Sequence, residues 1–529
     1  MRYTVAAGRG IKWLGVAAKK LGRILWIPPY RHILGWPALT LTLTILAWNW
    51  HATSKWDGYR QSAAARGIVL DPVAANGPAI PDAENFASSH GPFARLQGRS
   101  GYDLNFNGIF LDYPSLTKGK RMSIEQLYAP VQGPIPFIPN RKHHSGVEPA
   151  VTPGVVTVTP KTPGEFIAFC DQQFKTVWPA LLEAETRPKC QLPPYATQKL
   201  EERSISGLNM RKTAELHGLR AMALLELGRD GEAREELRGT FRIGNVAQAS
   251  PGADLMQSMI SAAIIALPTA LIWEGLVDQH WTEPTLKALQ EDLAATSPAR
   301  NWAQIIECER AAQNSVYDHL ISAPLPQRVA DCRALLFEDA DPKDPKKWLG
   351  LCPIAVFRES QLFTNQLFDS TRELIDQNGR WHPEKAAPYK VFVDDMFEHR
   401  LSTAQLPFAR LMIPSMERSA HRIVITEAWL REASTAVALE RYRLRHHDLP
   451  ERLDQLVPEY LPSVPEDPVT GQAIRYERTS EESHRLWCEA EYQGSDLSDV
   501  VETSMLYGHK VVLWPGLAPA KPLAATAAR

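Results

Sequence analysis

LHGLRAMALLELGRDGEAREELRGTFR, residues 216–242, carries apolar side chains at helical spacing on both sides of a glycine-containing break. Leu216, Leu219, Ala223 and Leu227 form one stripe, which stops at Gly228. The chain turns through Arg229–Gly231, and Ala233, Leu237 and Phe241 resume the period. That spacing predicts two antiparallel helices joined by a short turn.

The same period extends to both sides. A second helical pair is expected over 256–276 and 283–295, with Thr282 as N-cap of the latter and Glu283 and Pro284 in its first turn, where an acid and a proline are both tolerated. Residues 301–320 and 354–376 read as further helices around the Pro- and Asp-rich stretch FEDADPKDPKK. A last long helix over 414–446 places Ile425, Trp429, Ala433, Val437 and Leu444 near the helical period, with Ala436 and Leu439 widening the face. Residues 165–430 are therefore expected as a helical domain, and the fold class as mainly α with an irregular helical-hairpin body.

Beyond it, LERYRLRHHDLPERLDQLVPEYLPSVPEDPVTGQAIRY, residues 439–476, reads as a helix end, a turn at His446–Asp448 and a short helix from Pro450 to Val457. A turn at Asp467–Gly471 and a strand beginning near Ala473 follow, since Pro465 and Pro468 forbid continued helix. RLWCEAEY and GHKVVLWP supply two more strands, so 431–515 is predicted as a helix with a small antiparallel sheet and 516–529 as a disordered tail.

At the other end, residues 1–32 hold seven basic residues (Arg2, Arg9, Lys12, Lys19, Lys20, Arg23, Arg31) and no acid. Of 58 Lys and Arg against 60 Asp and Glu in the 529 residues, this leaves 51 basic against 60 acidic on the remainder. Residues 33–50, ILGWPALTLTLTILAWNW, contain no ionisable side chain. Eighteen helical residues span about 27 Å, close to the ~30 Å hydrocarbon core. Trp36, Trp48, Trp50 and Trp56 flank the segment. Indole rings favour headgroup depth and the basic side stays inward, so the expectation is a transmembrane signal anchor with a basic cytoplasmic segment at 1–32 and the bulk of the chain extracytoplasmic, in the bacterial inner membrane facing the periplasm. A buried core helix and a cleaved signal peptide are the alternatives. Lys12, Lys19, Lys20 and Arg23 fall on one side of a helix, a pattern that suits an anionic leaflet and equally a solvated tail. Residues 51–164, with eight prolines from Pro130 to Pro163, read as a Pro-rich linker or an extended arm lying on the body, with one short edge strand at 155–159.

With 44% apolar and 22% charged residues, the chain is neither collagen-like nor wholly disordered. Its near-zero net charge gives no compositional case for nucleic acid, which needs a clustered basic excess. At ~150 residues per domain the length suggests about three domains. All six cysteines (Cys170, Cys190, Cys308, Cys332, Cys352, Cys488) follow the anchor, an even number that an oxidising compartment accepts. Cys170 with Cys190, Cys332 with Cys352 and Cys308 with Cys488 is one of fifteen pairings, against free buried thiols as the other reading.

LELGRDGEAREEL, 225–237, resembles the central turn of a tetratricopeptide helical hairpin over about one repeat. The 439–476 segment resembles the C-terminal part of the major pseudopilins of type II secretion systems, where a helix leads through a YP-containing turn to a DP-containing loop and a small sheet. Here Leu449-Pro450 stands in the turn, and residues 1–32 lack a prepilin-peptidase-like sequence. More broadly the chain resembles large bacterial membrane-anchored proteins with an N-terminal anchor, a PDAENFA-like segment (81–87), a helical middle and a pseudopilin-like end, which implies architecture and no activity. The pseudopilin resemblance implies calcium in YQGSDLSDVVE, with Asp496 and Asp499 as hard oxygen ligands, against a solvated acidic turn.

Ser115 and Lys118 form an SxxK without the accompanying SDN or KTG, and His143 and His144 adjoin Arg141 and Lys142 in the Pro-rich arm. His446, His447 and Asp448 suit a helix C-terminus. No CxxC, HExxH, GxSxG, P-loop or GxGxxG occurs, which leaves catalysis without a named residue. The leading expectation is a membrane-anchored, non-enzymatic interaction or scaffold protein of the bacterial envelope, contacting the lipid bilayer through 33–50 and an envelope or secretion-system protein through its body. The alternatives are an envelope hydrolase with an unrecognised site and an accessory component of a type II secretion-like apparatus.

Overall fold

A computed structural model describes residues 35–87, 162–173, 175, 178–191, 200–336, 349–382, 384–385, 416–480 and 483–489, with strand segments out to 514. The protein is mainly α. Twelve helices lie among the described residues: α1 (Trp36–Ala65), α2 (Pro72–Asn76), α3 (Pro163–Gln173), α4 (Trp178–Glu185), α5 (Leu200–Glu226), α6 (Asp230–Gln248), α7 (Leu255–Val277), α8 (Glu283–Ala295), α9 (Trp302–Ser322), α10 (Leu325–Leu336), α11 (Ile354–Thr371) and α12 (Met416–His446). Six strands follow: β1 (Arg475–Arg478), β2 (His484–Glu489), β3 (Glu491–Tyr492), β4 (Ser495–Asp496), β5 (Ser504–Leu506) and β6 (His509–Trp514). Two compact units result. The described residues within Met1–Ile68 and Val316–Gln366 form one, and those within Val69–Ser315, Leu367–Asp395 and Ile413–Arg529 form the other.

In the first unit, α1 has two unlike halves. Its first half leaves Trp36, Leu41, Leu43, Leu46 and Trp50 exposed, whereas Ala52, Trp56 and Ala63 in the second half are buried. The helix therefore continues without a break well beyond residue 50, where the extended arm was expected to begin. Trp48 Nε1 donates to Glu359 Oε1 at 2.7 Å, Asn49 Oδ1 accepts from the N–H of Ala355 at 2.8 Å, and Tyr59 Oη donates to the carbonyl of Asn365 at 3.4 Å. Tyr317, Leu320, Cys332 and Phe357 form this unit's small apolar cluster.

The second unit is built around α7. This helix is apolar on every side, and by length and composition it is the one helix among the described residues that passes as a membrane span. Most of it is buried against α5, α6 and α12, so it is a core helix. Asp254 caps it, accepting from the N–H of Gln257 at 2.8 Å. At its far end Gly275 is required because the indole of Trp281 lies where a Cβ would be.

The α5–α6 hairpin has the expected form. Gly228, at φ +70°, allows the N–H of Arg229 to reach the carbonyl of Leu224 at 2.9 Å, which closes the end of α5. Leu216, Leu219, Ala223, Ala233, Leu237 and Phe241 are buried, while Leu227, in the turn itself, is exposed. Thr282 precedes α8 in extended conformation but makes no side-chain cap. Its N–H and hydroxyl both donate to Asp230 Oδ2, at 3.0 and 2.7 Å, so it links α8 to the start of α6 instead.

Two structured stretches cross or adjoin the expected domain limits. The boundary at 430/431 falls inside α12, and Ala433 and Val437 of that helix share one core with Leu286 of α8, Ile474 and Leu486. Helical body and terminal sheet are thus one unit, because one continuous helix supplies apolar faces to both. The PDAENFA segment is tied by hydrogen bonds to residues 189–191. The N–H of Phe86 donates to Lys189 O at 2.7 Å, and the N–H of Lys189 to Glu84 O at 3.1 Å. Gln191 donates to Asn76 O and Pro78 O and accepts from the N–H of Ile80. Phe86 itself enters a cluster with Leu181, Met210 and Ile243. The expected strand at 155–159 lies outside the described residues, as do residues 1–32 and the tail 516–529.

The terminal sheet is antiparallel in the order β1-β2-β6-β5, with β3 and β4 as a separate ribbon. The 446–448 turn is made with His447 at φ +56°, and the expected helix from Pro450 contracts to one 3₁₀ turn, Leu453–Leu456. Gly471, at φ +71°, completes the turn begun by Asp467.

Candidate functional site

The densest buried group of ionisable side chains lies where α3, α4, α5 and α6 meet. His217 of α5 is 2% exposed and has both ring nitrogens engaged by carboxylates: Nδ1 with Glu236 Oε2 at 2.7 Å and Nε2 with Glu185 Oε1 at 2.8 Å. One turn on, Arg220 donates Nε to the other oxygen of Glu236 at 2.7 Å and Nη1 to Asp171 at 2.8 Å. Trp178 covers the group, its ring 4.8 Å from the imidazole and 4.8 Å below the Arg220 guanidinium. Gly239 of α6 lets the imidazole approach the backbone, since a Cβ there would lie 3.0 Å from His217 Cε1.

Burial by itself disfavours the imidazolium, but Glu185 and Glu236 outweigh it and push the His217 pKa up to about 9. With both nitrogens facing carboxylate acceptors, each must carry a proton. The ring is a fixed cation near neutrality with neither nitrogen turned to solvent, so its chemistry is that of a clamp between helices. The thiol of Cys170 close by is pushed up to about 12 by burial, against the opposing pull of Arg220.

A second group lies under the terminal sheet. Glu432 of α12 is fully buried, and its Oε1 accepts from the N–H of Cys488 at 3.0 Å while Oε2 has no partner. Asp467 Oδ2 accepts from the N–H of Glu489 at 2.8 Å, and Oδ1 from those of Val469 and Thr470. Cys488 and Glu489 lie beyond the end of β2's pairing with β1, at Arg475 and Trp487, so these carboxyl groups serve backbone donors where that ladder has stopped. Burial raises the pKa of Glu432 well above the ordinary carboxyl value and raises that of Asp467 as well. Burial and the neighbouring Glu432 push the Cys488 thiol up well beyond the ordinary range. His484, on the same strand, is lowered to about 4 by burial and is neutral.

The residues singled out from the sequence fall elsewhere. Asp496 pairs through its backbone with Glu491 in the β3–β4 ribbon, while its side chain and the whole of Asp499 lie outside the described residues, as do Ser115, Lys118, His143 and His144. His446 stacks on Tyr442 and shares a hydrogen bond with Tyr460 Oη at 3.2 Å, whereas Asp448 binds Arg478 at 2.6 Å, so these neighbours diverge as structural groups at the helix end. All six cysteines are free thiols. Cys332 and Cys352 share one cluster, but Cys170 and Cys190 belong to different clusters, and Cys308 donates to Pro251 O at 3.0 Å while Cys488 lies against Glu432. Among the described residues no three His, Cys, Asp or Glu side chains converge as a metal site. His217, Glu185 and Glu236 were not legible as a group, since they come from three helices; the one local sign was a histidine set inside an apolar helical stripe with Arg220 one turn away.

Fold and buried groups together define a mainly α protein whose ionisable clusters join its helices to one another and to a small antiparallel sheet. No known family profile matches the chain, and no curated protein or solved structure matches it either.

Proposed function

We propose that this is a single-pass membrane-anchored scaffold of the bacterial envelope, with residues 33–50 in the bilayer, the N-terminus cytoplasmic and the body presented on the periplasmic side to a protein partner. The observation that carries this reading is the contrast along α1. Between Trp36 and Trp50 five large apolar side chains (Trp36, Leu41, Leu43, Leu46 and Trp50) are exposed, while Ala52, Trp56 and Ala63 further along the same helix are buried. Unbroken helix with bare apolar side chains on several faces is stable where lipid covers them. The hydroxyls of Thr40, Thr42 and Thr44 suit that setting too, each donating at 2.8 Å to the carbonyl four residues earlier, so that none of the three hydroxyls is left unsatisfied. Trp48 and Trp50 stand at the outer end, where indoles favour the headgroups.

The test is membrane fractionation of the full-length chain with an alkaline-washed pellet, beside a periplasm-dependent phosphatase reporter fused after Pro515. Retention in the washed pellet with an active reporter is expected. Release by the wash, or an inactive reporter on an expressed fusion, overturns the reading.

A secretion-linked role is the second reading, favoured by the packing of α12 on an antiparallel sheet through Ala433, Val437, Leu486 and Cys488. In-cell crosslinking of the full-length protein, followed by mass spectrometry, separates it from a general scaffold. Recovery of secretion components supports the narrower role, and recovery of other envelope proteins alone overturns it.

A further inference from the structure

The anchor and the helix beside it run in the same direction and in step. Asn49 meets Ala355 and Tyr59 meets Asn365, each pair separated by 306 positions in sequence. Ten residues of α1 are therefore matched by ten residues of α11, and the N-terminal end of α11 points toward the exposed apolar half of α1. The turn Leu349–Pro353 leads into this N-terminal end of α11. Extending the 306-residue offset from α11 through the turn puts Leu351 opposite Ile45, about five residues, or roughly 7 Å of helix, inward of Trp50.

The chemistry of the turn suits that position. Residues 349–357, LGLCPIAVF, carry no charge. Leu351 is 51% exposed, comparable with Leu46 of the anchor at 58%, and the backbone beneath it is held firmly. Gly350 packs against the backbone of Val329, its carbonyl accepts from Arg328 Nε at 2.9 Å, and the N–H of Cys352 returns to Leu349 O at 3.0 Å. A lone exposed leucine on a protein surface means nothing by itself. This one is presented by a turn held against Val329 and Arg328, at the end of α11 that points toward the exposed apolar half of α1.

We infer that the Leu349–Pro353 turn is a second membrane contact, with Leu351 inserted among the lipids of the outer leaflet beside the anchor. The inference rests on the membrane reading of α1. Two contacts fix what one helix cannot: a single span leaves the body free to swivel, whereas an inserted turn beside it sets the tilt of the first unit on the bilayer. The N–H of the Trp48 indole, given to Glu359, and the Asn49 amide oxygen, which accepts the Ala355 N–H from the first turn of α11, then form the polar seam between lipid and protein.

The test uses the full-length chain reconstituted in vesicles of phosphatidylethanolamine and phosphatidylglycerol, with benzoylphenylalanine replacing Leu46, Leu351 or Arg60 in turn. Arg60 is fourteen residues up the same helix, about 21 Å from Leu46, and is exposed. Lipid adducts after irradiation, read by mass spectrometry, are expected at 46 and 351 and absent at 60. Adducts at 46 alone leave the anchor standing and overturn the second contact, as do protein adducts at 351 or lipid adducts at all three positions. Adducts at neither 46 nor 351 overturn the anchor and the inference with it.

Discussion

Asn49 Oδ1 accepts the backbone N–H of Ala355 at 2.8 Å, which makes a residue of α1 the N-terminal cap of α11. The residue in the cap position itself, Pro353, has no side-chain acceptor, so the free N–H groups of the first turn need one from elsewhere. The replacement Asn49→Ala is expected to lower the stability of the first unit by about 1 kcal/mol. Asn49→Asp retains the acceptor and adds a charge that the helix N-terminus favours. Hydrogen exchange over residues 354–360 checks this. Equal protection in the wild type and the alanine variant would remove the cap from the account.

His217 gives a stability that depends on pH with a defined sign. Its folded pKa of about 9 lies above the ordinary histidine value of 6.5, so its contribution is complete below pH 6.5 and is lost as the pH rises through 9. The difference corresponds to roughly 3 kcal/mol. Urea denaturation at pH 6, 7.5 and 9 is expected to show this decline in the wild type and a flatter profile in His217→Gln. The variant is expected to be less stable at pH 6 by about 3–5 kcal/mol, because Glu185 and Glu236 lose the buried cation between them.

Glu432 has the opposite chemistry. Burial raises its pKa, so the neutral carboxyl is the form that the fold accommodates, and stability is greatest at low pH and falls as the pH rises toward and past that value. Glu432→Gln keeps an oxygen to accept the Cys488 N–H and cannot ionise. A gain of roughly 1–2 kcal/mol at pH 8, with little change at pH 4, is expected in denaturant titrations. A loss at both values would mean that the ionised carboxylate is what the site holds.

The thiols offer a count. Cys170, Cys190, Cys308, Cys332 and Cys488 are buried, and only Cys352 is half-exposed. Burial raises Cys170 and Cys190 to about 12 and Cys332 to about 11, which keeps them as unreactive thiols. A thiol reagent at pH 8 is expected to label one site per native chain at most, and all six in denaturant without reductant. Four labelled sites in denaturant would mean one disulfide, with Cys332 and Cys352 as the pair already sharing a cluster.

The α5–α6 hairpin was legible because its information is local: apolar residues three and four apart, then a glycine whose positive φ ends the helix. The helices at 255–277 and 283–295 and the turn at Asp467–Gly471 were legible for the same reason. The limits of the arm were not. A proline-rich composition says that regular helix is disfavoured, but it does not say that Phe86 has a cluster to enter or that Gln191 will tie down Asn76, Pro78 and Ile80.

Local pattern along the chain thus determined the helical class, the small terminal sheet and the charge-free segment at 33–50, since periodicity, capping and turn chemistry act over a few residues. Only the tertiary structure decided which apolar helix is sheltered and which is bare. Leu255–Val277 is apolar enough to cross a membrane but is enclosed by its neighbours, whereas the first half of α1 leaves Leu41, Leu43, Leu46 and Trp50 exposed. It also brought His217 between Glu185 and Glu236, Glu432 under Cys488, and Asn49 to Ala355. Groups that meet across tens or hundreds of residues leave no spacing to read, and whether a charge is stabilised depends on the partner that folding puts beside it.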